Sequence, residues 1–223
     1  MATSGSTDYT LTAREVATQS LRLIRVTPVF DTPSAEDLTQ AIATLNLMLK
    51  GWETDGPHIA HQTEGSVALV AATASYSLSP RPYRLIEARY RDASGRDLPM
   101  HELTRAEYYE FPIKTTQGTP TQFYYDPQVS TGTLYIWPVL ASVTTETIQY
   151  TYQRVFEDID NPANNLDIPQ EWLDMVVYNL ADRLLDVYGK DNDRITKRAM
   201  MLLRQAKDMD REPVVRFQPG ISH

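Results

Sequence analysis

The sequence predicts an α+β protein: a mainly α-helical bundle of four helices from both chain ends, with an inserted small antiparallel β subdomain and an extended C-terminal tail. Apolar residues recur at helical spacing near both ends of the chain, whereas strand-like alternation is confined to the middle. The amphipathic helices of the two ends can bury their apolar stripes only against each other, which makes the middle segment an insertion.

Two helices are predicted before residue 57. The first begins with the capping-box pattern Thr12-Ala13-Arg14-Glu15 and runs to about Arg25. The second is predicted to start at Pro33, which suits a first helical position because proline needs no backbone hydrogen bond there, and to end at Gly56-Pro57. Its predicted buried stripe is Leu38, Ile42, Leu45, Leu49 and Trp52.

The middle of the chain has strand patterns and turn residues. Thr104 and Glu107 form a second capping-box pattern, which predicts a short helical turn through Tyr109. In residues 147–153, Ile148, Tyr150 and Tyr152 alternate with Thr and Gln, which indicates one buried and one wet face. The predicted strands are residues 66–70, 83–91, 96–100, 121–126, 133–137 and 147–156.

After a polar linker over residues 158–167, a third helix is predicted from near Pro169 to Gly189, and a fourth from about residue 191 to before Pro213. The predicted organisation is therefore N-terminal helices (1–57), a β-rich insertion (58–157), C-terminal helices (158–212) and an extended tail (213–223).

Composition excludes several classes of protein. The 223-residue chain has no cysteine, which rules out disulfides and thiolate chemistry, and no apolar run of the ~18–20 residues that would span a bilayer. The polar N-terminus does not read as a secretory signal, and the absence of cysteine fits synthesis in the cytoplasm. A formal net charge of −8 disfavours tight binding of nucleic acid, because an acidic surface repels phosphate.

The order and spacing of several stretches resemble the head-to-tail adaptor family of tailed bacteriophages, which includes the portal-docking tail accessory factors of short-tailed phages. Residues 32–52 resemble the family's second helix, with its Leu45-Asn46 pair and closing Trp52. The stretches that resemble its hairpin, final strand and third helix are Gly118-Thr119-Pro120 with Phe123-Tyr124-Tyr125, then residues 134–138, 148–156, 167–172 and 178–185.

The resemblance implies a non-enzymatic structural protein without cofactors, located at the head-tail interface of the virion and assembled in the host cytoplasm. Members of the family form homo-oligomeric, dodecameric rings under the portal protein. The implied partners are the portal, further copies of the chain, a downstream tail protein (nozzle, hub or tail tube) and the genomic DNA, which passes through the channel without sequence-specific binding.

The C-terminal tail is the predicted portal-binding segment. Its apolar residues are Val214, Val215, Phe217 and Ile221, while Pro213 and Pro219-Gly220 prevent regular structure. Apolar side chains on a terminal tail indicate burial against something, and extended segments often bind in a groove or at a sheet edge. The alternative is that these side chains fold back on their own bundle.

Other interpretations of the residues are weaker. His58, His61 and Glu64 have metal-like spacing but no recognisable helix to present them, so we expect a loop and no metal site. Asp158 and Asp160 could act in acid–base chemistry, but they lie in the polar linker, where solvated turn residues are ordinary.

The rival function is a soluble nucleic-acid-binding module. It would combine the strand aromatics Tyr124, Tyr125, Tyr135, Trp137, Tyr150 and Tyr152 with the basic stretch over residues 81–96, which holds Arg81, Arg84, Arg89, Arg91 and Arg96. Cross-strand core packing is the simpler account of the aromatics, and a solvated strand face is the simpler account of the arginines.

Overall fold

A computed structural model describes residues 5–6, 8–55, 62–143 and 145–209 of the chain. They fold as two compact units: one is formed by residues 1–60 together with 157–223, and the other by residues 61–156. No helix within the described ranges is long and apolar enough to cross a membrane.

The helices are α1 (Ala13–Leu23), α2 (Ala35–Asp55), α3 (Arg105–Glu110), α4 (Leu173–Val187) and α5 (Asp193–Met209), with a 3-10 turn at Gln170–Trp172. The strands are β1 (Gln62–Ala68), β2 (Ser75–Leu78), β3 (Arg84–Arg91), β4 (Asp97–Pro99), β5 (His101–Glu102), β6 (Gln122–Pro127), β7 (Gly132–Trp137) and β8 (Thr147–Gln153). The predicted fold class is confirmed, since helices from both ends of the chain pack together and the sheets come from its middle.

Helix α4 lies at the centre of the first unit and packs against α1, α2 and α5. Its buried residues cover more than half of the helix circumference: Leu173, Met175, Val176, Val177, Leu180, Ala181, Leu184 and Leu185. Helix α1 is held close to it, because the hydroxyl of Ser20 donates to the carbonyl of Val177 at 3.0 Å. Helix α4 ends before Gly189, which has a left-handed φ of 59° that glycine adopts without strain.

Both predicted capping boxes are present. At the start of α1 the backbone N–H of Thr12 donates to Glu15 at 2.8 Å, and the N–H of Glu15 donates back to the Thr12 hydroxyl at 3.3 Å. Thr104 and Glu107 repeat the arrangement at α3. The predicted start of α2 at Pro33 is wrong, because Ser34 caps this helix by accepting from the N–H of Asp37 at 3.1 Å.

The polar linker after β8 is tied to the helices of its unit. Asn46 on α2 clamps the backbone of Ile159, donating to its carbonyl at 3.2 Å and accepting from its N–H at 2.9 Å. The linker carbonyls of Asn164 and Pro162 accept from Ala13 and Arg14, two of the N–H groups that the first turn of α1 leaves without helical partners. The linker therefore completes the bundle.

The second unit contains two four-stranded sheets, with strand orders β1-β8-β3-β4 and β2-β7-β6-β5. Residues from both sheets share one core, which includes Leu85, Phe123, Leu134, Ile136 and Ile148. The predicted alternation in β8 is confirmed, since Ile148, Tyr150 and Tyr152 are all buried. Two features differ from the prediction: β2 was not expected, and β5 pairs with β6 in parallel, so the insertion is not wholly antiparallel.

Two positions in the sheets are glycine because a tyrosine ring lies where a side chain would be. A Cβ on Gly65 of β1 would lie 2.5 Å from the ring of Tyr150, its cross-strand partner on β8. A Cβ on Gly132 would clash with the ring of Tyr125 in the same way. The Tyr125 hydroxyl in turn donates to the carbonyl of Pro82 at 2.6 Å, and burial raises the pKa of Tyr125 to about 12.

We expect Leu45→Ala and Leu180→Ala each to lower the free energy of unfolding by about 2–5 kcal/mol, because each removes a large side chain and leaves a cavity. Both side chains are fully buried. Denaturant titration of the purified chain measures the loss. Val187→Ala on α4 is the control and should change little, since Val187 is 49% exposed. Unchanged stability of either core variant would contradict the bundle.

A second prediction concerns the hydroxyl of Tyr188, which donates to Asp37 across the bundle at 2.6 Å. This hydrogen bond, with that from Ser34, lowers the pKa of Asp37 below its ordinary value of 3.8. A carboxyl with a depressed pKa stabilises the fold above its unfolded pKa, and the contribution is lost as pH falls through the folded pKa. Tyr188→Phe should therefore cost about 1 kcal/mol near neutral pH and progressively less below pH 3.8.

Thermal melts of wild type and Tyr188→Phe across this acid range test the linkage. Tyr9→Phe is the control, because Tyr9 is exposed and its hydroxyl has no hydrogen bond to the described residues. A difference in melting temperature that does not shrink in acid would show that the hydrogen bond to the Asp37 carboxylate is not its source.

Candidate functional site

The predicted portal-binding residues, Val214, Val215, Phe217 and Ile221, lie outside the described residues. What the structure does describe is the helix that leads to them. Helix α5 is fixed to α4 by polar contacts along its first half: Thr196 donates to Asp182 at 2.6 Å, and the side-chain amide of Asn179 donates to the Ala199 carbonyl at 3.2 Å. These contacts hold the first half of α5, the helix that precedes the predicted tail, firmly against α4.

The apolar stripe of α5 continues to its last turn. Ile195, Ala199 and Ala206 are buried on it. Met209 follows Ala206 by three residues and so belongs to the same face, yet it is 72% exposed. The end of α5 thus presents an exposed apolar side chain four residues before the segment (213–223) that the sequence predicts to bind a partner.

The arginines of the basic stretch are largely neutralised within the second unit. Arg89 lies 3.2 Å from Glu64, 3.8 Å from Glu87 and 3.9 Å from Asp97. The guanidinium of Arg91 donates two hydrogen bonds, of 2.6 and 2.8 Å, to the carboxylate of Asp97. Arg96 pairs with Asp92 at 3.2 Å. Arg81 and Arg84 form no ion pair with the described residues.

The ion pairs and hydrogen bonds of this stretch shift the pKa values of the groups that take part. The side-chain hydrogen bonds from Arg91 lower the pKa of Asp97, and the same interaction raises the pKa of Arg91. The pKa of Asp92 is lowered chiefly by the Ser94 hydroxyl. These acids stay ionised well below neutral pH, so the strand face presents paired charges and not a basic patch.

Most of the strand aromatics are part of the protein core. Tyr124, Tyr125, Tyr150 and Tyr152 are all less than 9% exposed. Tyr135 and Trp137 are half-buried on the outer face of β7, where Tyr135 stacks on Tyr124 with ring centroids 5.6 Å apart. Rings held in this way cannot splay apart to accept bases, so the core-packing interpretation accounts for them.

The sequence prediction missed how α3 extends this aromatic layer. Tyr108 of α3 packs on Tyr124, and Phe111 stacks on Trp137 with centroids 4.2 Å apart. The ammonium of Lys114 lies 4.8 Å from the Tyr108 ring centroid and donates to carbonyls at the end of α3, including that of Phe111 at 2.8 Å. The capping box predicted the helix, but no local pattern indicated which sheet face it covers.

Only some of the metal and acid–base candidates fall within the described residues. His58 and His61 lie outside the described residues, and Glu64 pairs with Arg89 on the strand face. No group of three or more His, Asp or Glu side chains that could hold a metal occurs in the part of the chain that the structure describes. Asp158 and Asp160 are exposed, and Asp158 lies 2.9 Å from Lys50.

We expect the free protein to show no salt-dependent affinity for DNA at physiological ionic strength, since most arginines of the candidate interface are already paired. Fluorescence anisotropy with single-stranded and duplex probes over a salt series measures this. Glu64→Gln with Asp97→Asn, which releases Arg89 and Arg91 from two acids, is the positive control and should increase binding. Tight wild-type binding that weakens with salt would favour the nucleic-acid-binding module.

Comparison with known proteins identifies the family. The model of the SU10 adaptor protein family matches residues 5–219. Among solved structures, a similar chain occurs in the neck of an empty gene transfer agent particle computed with C6 symmetry; the identity is 12%, the TM-score is 0.30, and the match covers 95% of this chain and 97% of that chain. Another similar chain occurs in the virion of a native gene transfer agent particle; the identity is 13%, the TM-score is 0.31, and the match covers 95% of this chain and 93% of that chain. No curated protein sequence matches significantly. Because the family model spans nearly the whole sequence, the predicted relationship to phage adaptors is confirmed, and the chain belongs to the SU10 adaptor protein family.

Proposed function

We propose that this protein is a structural head-to-tail adaptor of a tailed phage or phage-like particle. Copies of it form a homo-oligomeric ring, dodecameric by the resemblance, in the neck of the virion between the portal and the tail. One side of the ring binds the portal protein, and the other accepts the next tail protein (nozzle, hub or tail tube). The genome passes through the lumen during packaging and DNA ejection.

The observation that carries this proposal is the match of the adaptor family over residues 5–219, which includes both units of the chain. The action of such a protein is mechanical and needs no catalytic group. Its task is to present surfaces at fixed positions, and the cross-bundle contacts of α4, Asn46 and Tyr188 serve that task by making the helical unit rigid.

The charges of the β-rich unit favour the adaptor over the nucleic-acid-binding module. A surface past which DNA slides must not retain phosphate, and arginines that are paired with acids attract phosphate weakly. Glu64, Glu87, Asp92 and Asp97 supply this pairing on the strands that carry the basic stretch.

The C-terminal segment, residues 213–223, is the proposed contact with the portal. Val214, Val215, Phe217 and Ile221 are apolar residues of a stretch whose prolines predict an extended conformation. The exposed Met209 near the end of α5 adds an apolar side chain before the charged residues 210–212 that precede the segment. Short extended segments bind through backbone hydrogen bonds and alternate side-chain pockets, and become ordered at assembly.

Deletion of residues 214–223 should leave the melting temperature nearly unchanged but severely weaken binding to portal rings. Phe217→Ala should cause part of this loss, because an aromatic anchor often carries much of the binding energy. Negative-stain electron microscopy of portal rings mixed with each variant measures the occupancy of the adaptor. Ser222→Ala is the control within the same segment and should bind like wild type.

Two different failures are distinguishable. If the truncated chain decorates portal rings at wild-type occupancy, the contact lies elsewhere, most directly on α5 itself. If the wild-type chain neither assembles nor binds portal rings, the adaptor function is wrong for this protein.

A further inference from the structure

Beyond Glu36 in its first turn, one exposed face of α2 carries no charged residue. Five residues spaced by three, four, four and three positions point away from the buried stripe: Gln40, Ala43, Leu47, Gly51 and Thr54. Leu47, at the centre, is 71% exposed. A surface helix of a soluble protein ordinarily places charged residues on its outer face, so this face, which we call the α2 face, is typical of a contact surface.

The glycine in the α2 face is not required by the fold of the single chain. A Cβ on Gly51 would meet only the tip of the flexible Arg183 side chain, at the ordinary contact distance of 3.5 Å. Glycine within a helix costs about 1 kcal/mol relative to alanine. The absence of a side chain at this position allows another backbone to approach α2 closely.

A second exposed apolar patch lies on α5. Met200 is 65% and Met201 41% exposed, and Lys197 and Arg204 lie one turn away on either side of them. These four residues occupy positions i, i+3, i+4 and i+7 of one helix side, opposite the buried Ile195, Ala199 and Ala206. Within the described ranges, Lys197 pairs with Asp193 and Arg204 with Asp208 of their own helix, at exposed positions where such pairs are weak. We call this side the α5 face.

The two faces belong to different helices of the helical unit. Helix α2 packs against α1 and α4, whereas α5 packs against α4. Each face points away from the buried stripe of its own helix. Two different surfaces of one protomer are what a head-to-tail contact requires, and such contacts close into rings when the rotation per copy permits.

The charges around the two faces are complementary. The described side chains of α2 include the acids Glu36, Asp37 and Glu53 against the base Lys50, although Asp37 accepts from Tyr188 within the bundle and Glu53 pairs with Lys50. Helix α5 carries Arg194, Lys197, Arg198, Arg204 and Lys207 against Asp193 and Asp208. Two α2 faces or two α5 faces would bring like charges together, whereas an α2 face opposite an α5 face joins unlike charges.

We infer that the subunit contact of the ring is formed by the α2 face of one copy and the α5 face of the next. Leu47 is the apolar anchor, and the flexible side chains of Met200 and Met201 fill the space around it. Lys197 and Arg204 lie beside these methionines and face the more acidic helix α2. This inference rests on the proposed function, because it names the partner surface of the same assembly.

Disulfide cross-linking tests the contact directly, because the chain contains no cysteine of its own. Leu47→Cys with Met200→Cys in one chain should give, under mild oxidation of portal-bound protein, a ladder of covalent oligomers on a non-reducing gel. Each single variant should give no species larger than a dimer. Leu47→Cys with Val187→Cys is the matched control and should give no ladder, because Val187 is exposed but belongs to neither the α2 face nor the α5 face.

Charge exchange provides an independent measurement. Leu47→Lys should abolish ring assembly, since it replaces the apolar anchor with a cation opposite Lys197 and Arg204. The melting temperature of the monomer should stay within about a degree or two of wild type, because Leu47 is exposed. Adding Lys197→Glu and Arg204→Glu should restore assembly. Val187→Lys should assemble like wild type. Light scattering of the full-length chain and electron microscopy on portal rings report the outcome.

The results separate this inference from the function on which it rests. Rings that form normally with Leu47→Lys, or a double-cysteine variant that gives no more ladder than its control, would show that the copies meet through other surfaces and overturn the inference alone. Failure of wild type to assemble in solution or on portal rings would overturn both.

Discussion

The burial of α4 is the interaction on which the helical unit depends. Each of the other helices of this unit contacts it: α1 and α5 through extensive packing and α2 over a shorter stretch. Burial of apolar surface stabilises by about 25 cal/mol per Å², and the eight buried residues of α4 gather most of this stabilisation at one place. The hydrogen bonds from Ser20 and Thr196 and the Tyr188–Asp37 contact then fix how its neighbours lie against it.

A helix that is covered on so much of its circumference leaves its neighbours to provide the outer surface. The faces of α2 and α5 that point away from α4 are therefore available for contacts with other molecules, and their apolar character in a chain of net charge −8 gives them a physical reason to be covered. In the β-rich unit the situation is reversed. Its largest core faces inward between two sheets, and Arg89, Arg91 and Arg96 on its surface are paired with acids.

Local sequence signals predicted most individual elements because each rests on short-range physics. The two capping boxes place a Thr hydroxyl and a Glu carboxylate three residues apart, and that spacing satisfies backbone donors wherever it occurs. The alternation of Ile148, Tyr150 and Tyr152 follows from the twofold period of a strand. The prediction for α2 failed by two residues because proline and serine are both good helix starters, and only the hydrogen bond from Asp37 distinguishes them.

By itself, the sequence determined the fold class, the helices of both chain ends and the family, since helical and strand periods and the order of short motifs are properties of the chain alone. Only the tertiary structure decided that Arg89 is paired with Glu64, because Glu64 lies far from Arg89 in sequence and reaches it only across β8. The same holds for Asn46, whose partner Ile159 is 113 residues away. Long-range pairing depends on which strands and helices become neighbours, and no local pattern records that choice.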